Sequence, residues 1–384
     1  MVLRLKSVIA SLAVVVIGVS GCSSSSGAGH ATTTAGASTG TSSNSSASAG
    51  LAAAEAATTK AMQAPTTIPL QAPLRTKPPT GKTFVWMKCD AQQCQDLADA
   101  IKQATSAIGW NYKEIPFKNA DPATLVSALN QALTLKPTSV GLAGIPEALW
   151  SSVIPAYKAA GVTITTILIG PMSYDNTVIG QAGAQDTAAA ANIMANWAIG
   201  DSNGHAHVLL ETINEFPIAL QFGAAYDSTF KTNCPGCSVT VVNNTLAQLA
   251  SGAIPGTVVA ALQKDPSLNY VVTVDGPFLT GVPSALAAAG LSKVKLSGAS
   301  GDVSELTDVK AGTESAFTGV ALDYEGWQLV DMAARHLEGV AFDPDGDGGL
   351  PVQLLTKDVP FTVQDSYNQP ADWQDQLKKL WLVG

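Results

Sequence analysis

Tyr270-Val271-Val272-Thr273-Val274-Asp275-Gly276-Pro277-Phe278 decides the fold. Residues Tyr270 to Val274 are apolar or β-branched with no alternation, which is the pattern of a strand buried on both faces. A carboxylate and a Gly-Pro turn follow at once, and Pro283 to Ala289 then reads as a helix. The same unit recurs downstream. Val294 to Ser297 is strand-like, Val303 to Ala311 helical, Ala316 to Ala321 strand-like, and Tyr324 to Leu337 a long helix. Upstream, strands at His207 to Glu211 and Val239 to Asn243 alternate with helices at Ala184 to Gly200, Phe216 to Phe230 and Gly256 to Gln263.

An earlier series has the same rhythm. Strands are expected at Phe84 to Lys88, Asn111 to Phe117, Ser139 to Ala143 and Val162 to Ile169. Helices are expected at Asp96 to Ile108, from Asp121-Pro122 to about Leu135, and at Pro146 to Ala160. Asp121 supplies a capping side chain and Pro122 a preset first turn. Apolar strands each followed by a helix imply parallel sheets covered on both faces, so the fold class is α/β with two doubly wound parallel-sheet lobes. Ligands in such sheets bind beyond the carboxyl ends of the strands. The stretches to search are Lys88 to Gln92, Ile169 to Tyr174, Glu211 to Phe216, Asp275 to Phe278, Ser300 to Asp302 and Asp323-Tyr324.

The N-terminus reads differently. Arg4 and Lys6 precede an apolar run from Val8 to Val19, too short for a comfortable membrane span and right for a signal-peptide core. Val19-Ser20-Gly21-Cys22 resembles a bacterial lipobox, which implies cleavage after residue 21 and diacylglycerol on the Cys22 sulfur. Residues 22–81 are rich in Ser, Gly, Ala and Thr and then in Pro, a composition expected to form a disordered tether. The remaining four cysteines fall in close pairs, Cys89/Cys94 and Cys234/Cys237. Outside the cytoplasm such pairs are expected as disulfides; a four-thiolate zinc site and a redox Cys-x-x-Cys are the alternatives. A net charge of -9 argues against nucleic acid, which demands clustered positive charge.

The order of elements from Lys82 to about Pro360 resembles the type I periplasmic-binding-protein family of the ribose and galactose kind, the substrate receptors of ABC importers. Val272-Thr273-Val274-Asp275-Gly276 resembles that family's strand ending in a sugar-binding aspartate, Leu296 to Asp302 the next strand with its ligand-side turn, and Asp323-Tyr324-Glu325-Gly326 the opening of the final long helix. The resemblance implies a three-stranded hinge, with crossings near Gly183, Leu322 and Pro360. The N-terminal lobe is then 82–183 with 322–360, and the C-terminal lobe 184–321 with 361–384. After the first strand, Lys88-Cys89-Asp90-Ala91-Gln92 replaces the stacking aromatics common in sugar binders, and Gly170-Pro171-Met172 replaces a frequent Asp-Arg pair.

The expected ligand set is Asp90, Gln92, Met172, Glu211, Asn214, Glu215, Phe216, Asp275, Asp302, Asp323 and Tyr324. Asp275 and Glu215 also fit simple helix caps. Asp343 to Gly348 suggests calcium, but Leu354 stands where an EF-hand needs its twelfth-position glutamate, so no metal is expected. No catalytic or phosphate-binding motif occurs, and no cofactor or enzymatic activity is expected. The reading is a monomeric, lipid-anchored receptor on the extracytoplasmic face of the cell membrane, passing a carbohydrate-like polar ligand to an ABC permease. A sensor for a signalling partner and an extracytoplasmic enzyme on the same scaffold are the alternatives.

Overall fold

The structure, a computed structural model, describes residues 41–119, 121–169, 174–181, 184–344, 347–363 and 367–384. After helix α1 (Thr41–Ala61), five strands form the first sheet: β1 (Thr83–Lys88), β2 (Asn111–Pro116), β3 (Ser139–Ala143), β4 (Thr163–Ile167) and β5 (Val178–Gly180). All pairings are parallel and the order is β2-β1-β3-β4-β5. Helices α2 (Gln92–Ala107), α3 (Pro122–Thr134) and α4 (Ile154–Ala160) connect them. The second sheet holds β6 (His207–Ile213), β7 (Ser238–Asn244), β8 (Tyr270–Thr273), β9 (Lys295–Gly301), β10 (Ala316–Val320) and β11 (Val352–Thr356). Its order is β11-β10-β9-β8-β6-β7, parallel except for β11 against β10. Its helices are α5 (Ala184–Asp201), α6 (Pro217–Asn233), α7 (Leu246–Ala250), α8 (Ile254–Lys264), α9 (Val282–Ala288) and α10 (Val303–Ala311). The last two helices are α11 (Leu322–Leu337) and α12 (Trp373–Leu380).

The two-lobe α/β fold stands as expected, and the strand cores are the apolar runs that the sequence marks. Phe84, Val85, Trp86 and Met87 of β1 are all buried, as is the whole of β8. Both cysteine pairs are disulfides, Cys89–Cys94 and Cys234–Cys237. The stretch Pro146 to Ala160 is a helix only from Ile154 on, preceded by two single 3₁₀ turns. Pro155 sits in the first turn of α4, where its missing N–H costs nothing.

Three boundaries differ from the sequence reading. First, of the tether expected over 22–81 the described part begins with α1, and 22–40 lies outside the described residues. Gly50-Leu51-Ala52-Ala53-Ala54-Glu55-Ala56-Ala57 is alanine-rich, and alanine is the best helix former because it loses no side-chain entropy. Small residues also allow close docking. Ala54 is fully buried, and a Cβ on Gly50 would lie 2.1 Å from the Asn233 carbonyl oxygen at the end of α6. Residues 62–80 then run over both lobes. Gln353 Nε2 donates to the Met62 carbonyl at 2.7 Å, while the Leu74 N–H donates to the Leu380 carbonyl at 2.8 Å.

Second, 352–356 does not belong to the N-terminal lobe; it is β11, the antiparallel edge of the second sheet. Third, the C-terminal tail does not end in the C-terminal lobe. Tyr367 Oη donates to Gln353 Oε1 at 3.0 Å beside β11, but α12 packs on α11 of the first lobe, with Trp327 stacked on Trp381 at 5.1 Å. The path therefore crosses between β5 and α5, at Ala321, and between α11 and β11, and the tail returns after β11. The crossing expected near Pro360 is this return. An antiparallel edge strand and an amphipathic C-terminal helix are both short, and neither carries the apolar run that marks the buried parallel strands. The crossings are tied together: Gln181 Nε2 donates to the Gly348 carbonyl at 2.9 Å, and Asp186 Oδ1 accepts from the Leu350 N–H at 3.2 Å.

Candidate functional site

Strand order reverses between β1 and β3 in the first sheet, and between β6 and β8 in the second. At such a switch point the flanking loops diverge and leave a crevice beyond the strand ends. The loop after β1 is closed by Cys89–Cys94, and α2 starts inside that ring. The side chain of Gln93, in the first turn of α2, lies near enough to the carboxyl of Asp275, which follows β8, to favour its ionised form. The two switch points therefore face each other.

Asp275 occupies the cap position of the 3₁₀ turn Gly276–Leu279 but makes no side-chain capping bond. Its half-buried carboxyl is pushed up to about 7 by burial and by the neighbouring Glu305; the Gln93 side chain opposes this, and Asp302 and Glu211 add to it. Glu305 presses on the same turn, since a Cβ on Gly276 would lie 2.7 Å from Glu305 Cγ, so only glycine fits there. Glu211, buried near the end of β6, accepts from Asn244 Nδ2 at 3.1 Å and Thr273 Oγ1 at 2.8 Å. Burial raises its carboxyl, and those two bonds pull it partway back. Phe216 and Phe278 stack at 5.9 Å with rings 18° apart, joining the loops after β6 and β8 in one apolar face.

From the first lobe, Glu325 in the first turn of α11 is fully buried, and neither of its carboxylate oxygens has a hydrogen-bond partner. Burial raises its carboxyl well above the usual range, and the charges of Asp186 and Asp275 push the same way. Glu325 thus shares its electrostatic surroundings with the second lobe and with the crossing that opens α5.

Residues 83–341 match the periplasmic binding protein domain. The chain belongs to the periplasmic binding protein family. Solved structures give the same architecture. A glucose-galactose binding protein of Geobacillus stearothermophilus is 16% identical with a TM-score of 0.63, covering 74% of this chain and 100% of its own. An ABC transporter solute binding protein of Mycobacterium smegmatis with bound glycerol is 17% identical, TM-score 0.63, covering 75% and 99%. One of Agrobacterium vitis with bound allitol is 17% identical, TM-score 0.62, covering 73% and 96%. No curated protein matches the sequence.

The other expected site residues of this periplasmic binding protein scatter. Asp90 accepts from the Asn119 N–H at 3.1 Å and so braces the loop after β2. Gln92 is exposed and donates to Asp96 on its own helix at 2.9 Å; the residue that reaches across is Gln93. Glu215 caps α7 rather than its own helix, accepting from the Leu246 N–H at 3.2 Å, and Asn214 is exposed beside it. Asp302 caps α10 in a capping box with Glu305. Asp323 lines a groove with Asp96, Asp99 and Lys378, a lining that does not include Asp275. Tyr324 is core, fully buried edge-on to Trp373 at 5.6 Å. Met172 lies outside the described residues. Among the described residues no group of three acidic, histidine or cysteine side chains could hold a metal.

The expected ligand set did not include Gln93 or Glu325, and Phe278 stood only at the end of a stretch to search. Helical phase is the signal that could have found the first two. On α11 the face carrying Tyr324, Trp327 and Asp331 turns to α12, so the neighbouring Glu325 is the acidic residue directed elsewhere.

Proposed function

We propose that this chain is the solute receptor of an ABC importer, held to the extracytoplasmic face of the membrane through a lipid on Cys22. It captures a sugar or related polyol between its lobes and presents the closed form to a permease. The observation that carries this reading is the approach of Gln93 to Asp275 between the two switch points, because a ligand held by both side chains links the lobes there. Asp275 accepts hydroxyl hydrogens, Gln93 supplies an amide group, and Phe216 with Phe278 offers an apolar face to a ring, while Glu211 and Asn244 are buried against each other behind them. The relatives whose structures hold allitol and glycerol support a hydroxyl-rich ligand. Closure shifts a population of open and closed states by the ligand's differential contacts with them, and the tied crossings at Gln181, Asp186 and Leu350 are where it turns.

Mass spectrometry of small molecules released from the purified protein tests the ligand class. A hydroxylated compound is expected, and re-adding it should shrink the radius of gyration in solution scattering. A compound that is neither bound reversibly nor able to close the lobes overturns the reading. For the anchor, Cys22→Ala is expected to abolish lipid labelling and move the protein from membranes to the soluble fraction. Continued membrane fractionation of that variant would sink the lipid assignment.

A further inference from the structure

The crevice between the switch points carries one sign of charge. Asp275, Glu211 and Glu305 come from the second lobe, Glu325 from the first, and Asp186 from the crossing. Charges that act on Asp275 are those of Glu305, Asp302 and Glu211; those that act on Glu325 are Asp186 and Asp275. Among the described residues, the charges that act on either are all carboxylates, with no lysine or arginine among them. The ion pairs among the described residues lie elsewhere, as Lys88–Glu114, Lys158–Asp175, Lys231–Asp227, Lys295–Asp201, Arg335–Asp331 and Lys378–Asp375. Arg75 is exposed in the segment before β1.

Glu325 adds a second, independent observation. It is 0% exposed, and both Oε atoms lack a donor. Buried polar groups in folded proteins are almost always hydrogen-bonded, and a buried carboxylate without a partner is costly. The charges that act on Glu325 are carboxylates rather than donors, and a donor on a bound ligand would complete it.

We infer that the ligand bears a protonated amine beside its hydroxyls, as an amino sugar or amino polyol does, and that the ammonium group sits between Glu325 and Asp275. This rests on the receptor reading above and deepens it. An ammonium has three donors and no acceptor, which suits a site rich in acceptors. Its hydrogen bonds to carboxylates are charge-assisted and roughly twice as strong as neutral ones. A neutral polyol leaves the mutual repulsion of the carboxylates in place, and a sugar acid or sugar phosphate adds to it. The upward displacement of both carboxyls fits a site that holds protons until a cation replaces them.

The test is a matched series at neutral pH by isothermal calorimetry: glucosamine against glucose, galactosamine against galactose, 1-amino-1-deoxysorbitol against sorbitol, with glucuronate as the anionic counterpart. In at least one pair the amine is expected to bind about ten-fold or more tightly than its hydroxyl partner, with no binding of glucuronate. Glu325→Gln is expected to collapse that preference, and its circular dichroism and melting show whether the fold is kept. Neutral sugars that bind as well as their amines overturn the inference and leave the receptor reading standing. No binding in either series, together with no small molecule released from the purified protein, overturns both. Should Glu325→Gln fail to fold, Asp275→Asn takes its place, and a retained amine preference in that variant counts against the inference.

Discussion

Asp331→Ala is expected to cost about 3–5 kcal/mol of stability, the largest loss of any single substitution considered for this chain. Asp331 and Arg335 are one turn apart on α11, and both are 0% exposed. Arg335 Nε donates to Asp331 Oδ2 at 2.6 Å, Trp381 Nε1 donates to Asp331 Oδ1 at 2.6 Å, and Arg335 Nη2 donates to the Ala72 carbonyl at 2.6 Å. The Asp331–Arg335 pair therefore joins the long helix, Trp381 just after α12 and the segment leading to β1. Removing it leaves a guanidinium buried without its counter-charge, and that penalty rather than the lost attraction sets the size of the effect. The double substitution Asp331→Leu with Arg335→Met removes both charges and is expected to recover most of the loss. Urea unfolding of the three variants measures this. A single variant within about 1 kcal/mol of the parent would show that the pair is dispensable.

The cluster also shows why some of the architecture was legible and some was not. The inner strands of the parallel sheets, such as Tyr270 to Thr273, are buried on both faces, and burial on both faces writes a continuous apolar stretch into the sequence; the parallel edge strands β2 and β7 are largely exposed. Strand β11 pairs on one side only, as the edge next to β10, and Val352-Gln353-Leu354-Leu355-Thr356 interrupts its apolar residues. Helix α12 is held by Trp373, Leu377 and Trp381, three residues at helical spacing in an otherwise polar segment. Its partner, α11, is far away in sequence, so the lobe it joins is a tertiary fact. Alanine-rich α1 misleads for a different reason. Low sequence complexity and high helix propensity look alike in composition, and docking onto α5 and α6 decides between them.

For the candidate site, the loops expected beyond the strand ends are those that carry Asp275 and Glu211, while the residues that lie near Asp275 from the first lobe are neighbours of the expected ones. Position after a buried strand is a property of the chain and points to Asp275 and Glu211 directly. Which residue of a helix start turns inward is a matter of phase, and one step of about 100° separates Gln92 from Gln93 and Tyr324 from Glu325. Short polar residues next to helix starts are also ambiguous, because the same side chain suits a cap and a ligand. Asp302 and Glu215 resolve as caps; Asp275 does not.

Asp275→Ala is accordingly expected to weaken ligand binding by about 1.5–3 kcal/mol, which is roughly ten- to a hundred-fold. The carboxyl caps nothing, so its removal has no helix to unravel. It is instead desolvated and faced by Glu305, Asp302 and Glu211 from the second lobe, by Glu325 from α11, and by the Gln93 amide from α2. Its folded value near 7 lies above the value near 3.8 of a free aspartate. Between those values the folded chain holds a proton that the unfolded chain has released. The group's contribution to stability is therefore greatest at the acid end of that window and is lost as pH rises through it. Asp275→Asn keeps the shape and removes the titration, so its melting temperature is expected to fall less than the parent's between about pH 4 and about pH 7. The slope that remains in the asparagine variant then includes Glu211, Glu325, Glu314 and Asp331, all displaced upward as well. Calorimetric titration with the released ligand and melting curves across that window separate the two possibilities. An alanine variant that binds normally but melts early would make Asp275 a structural residue; one that melts normally but binds weakly makes it part of the ligand site.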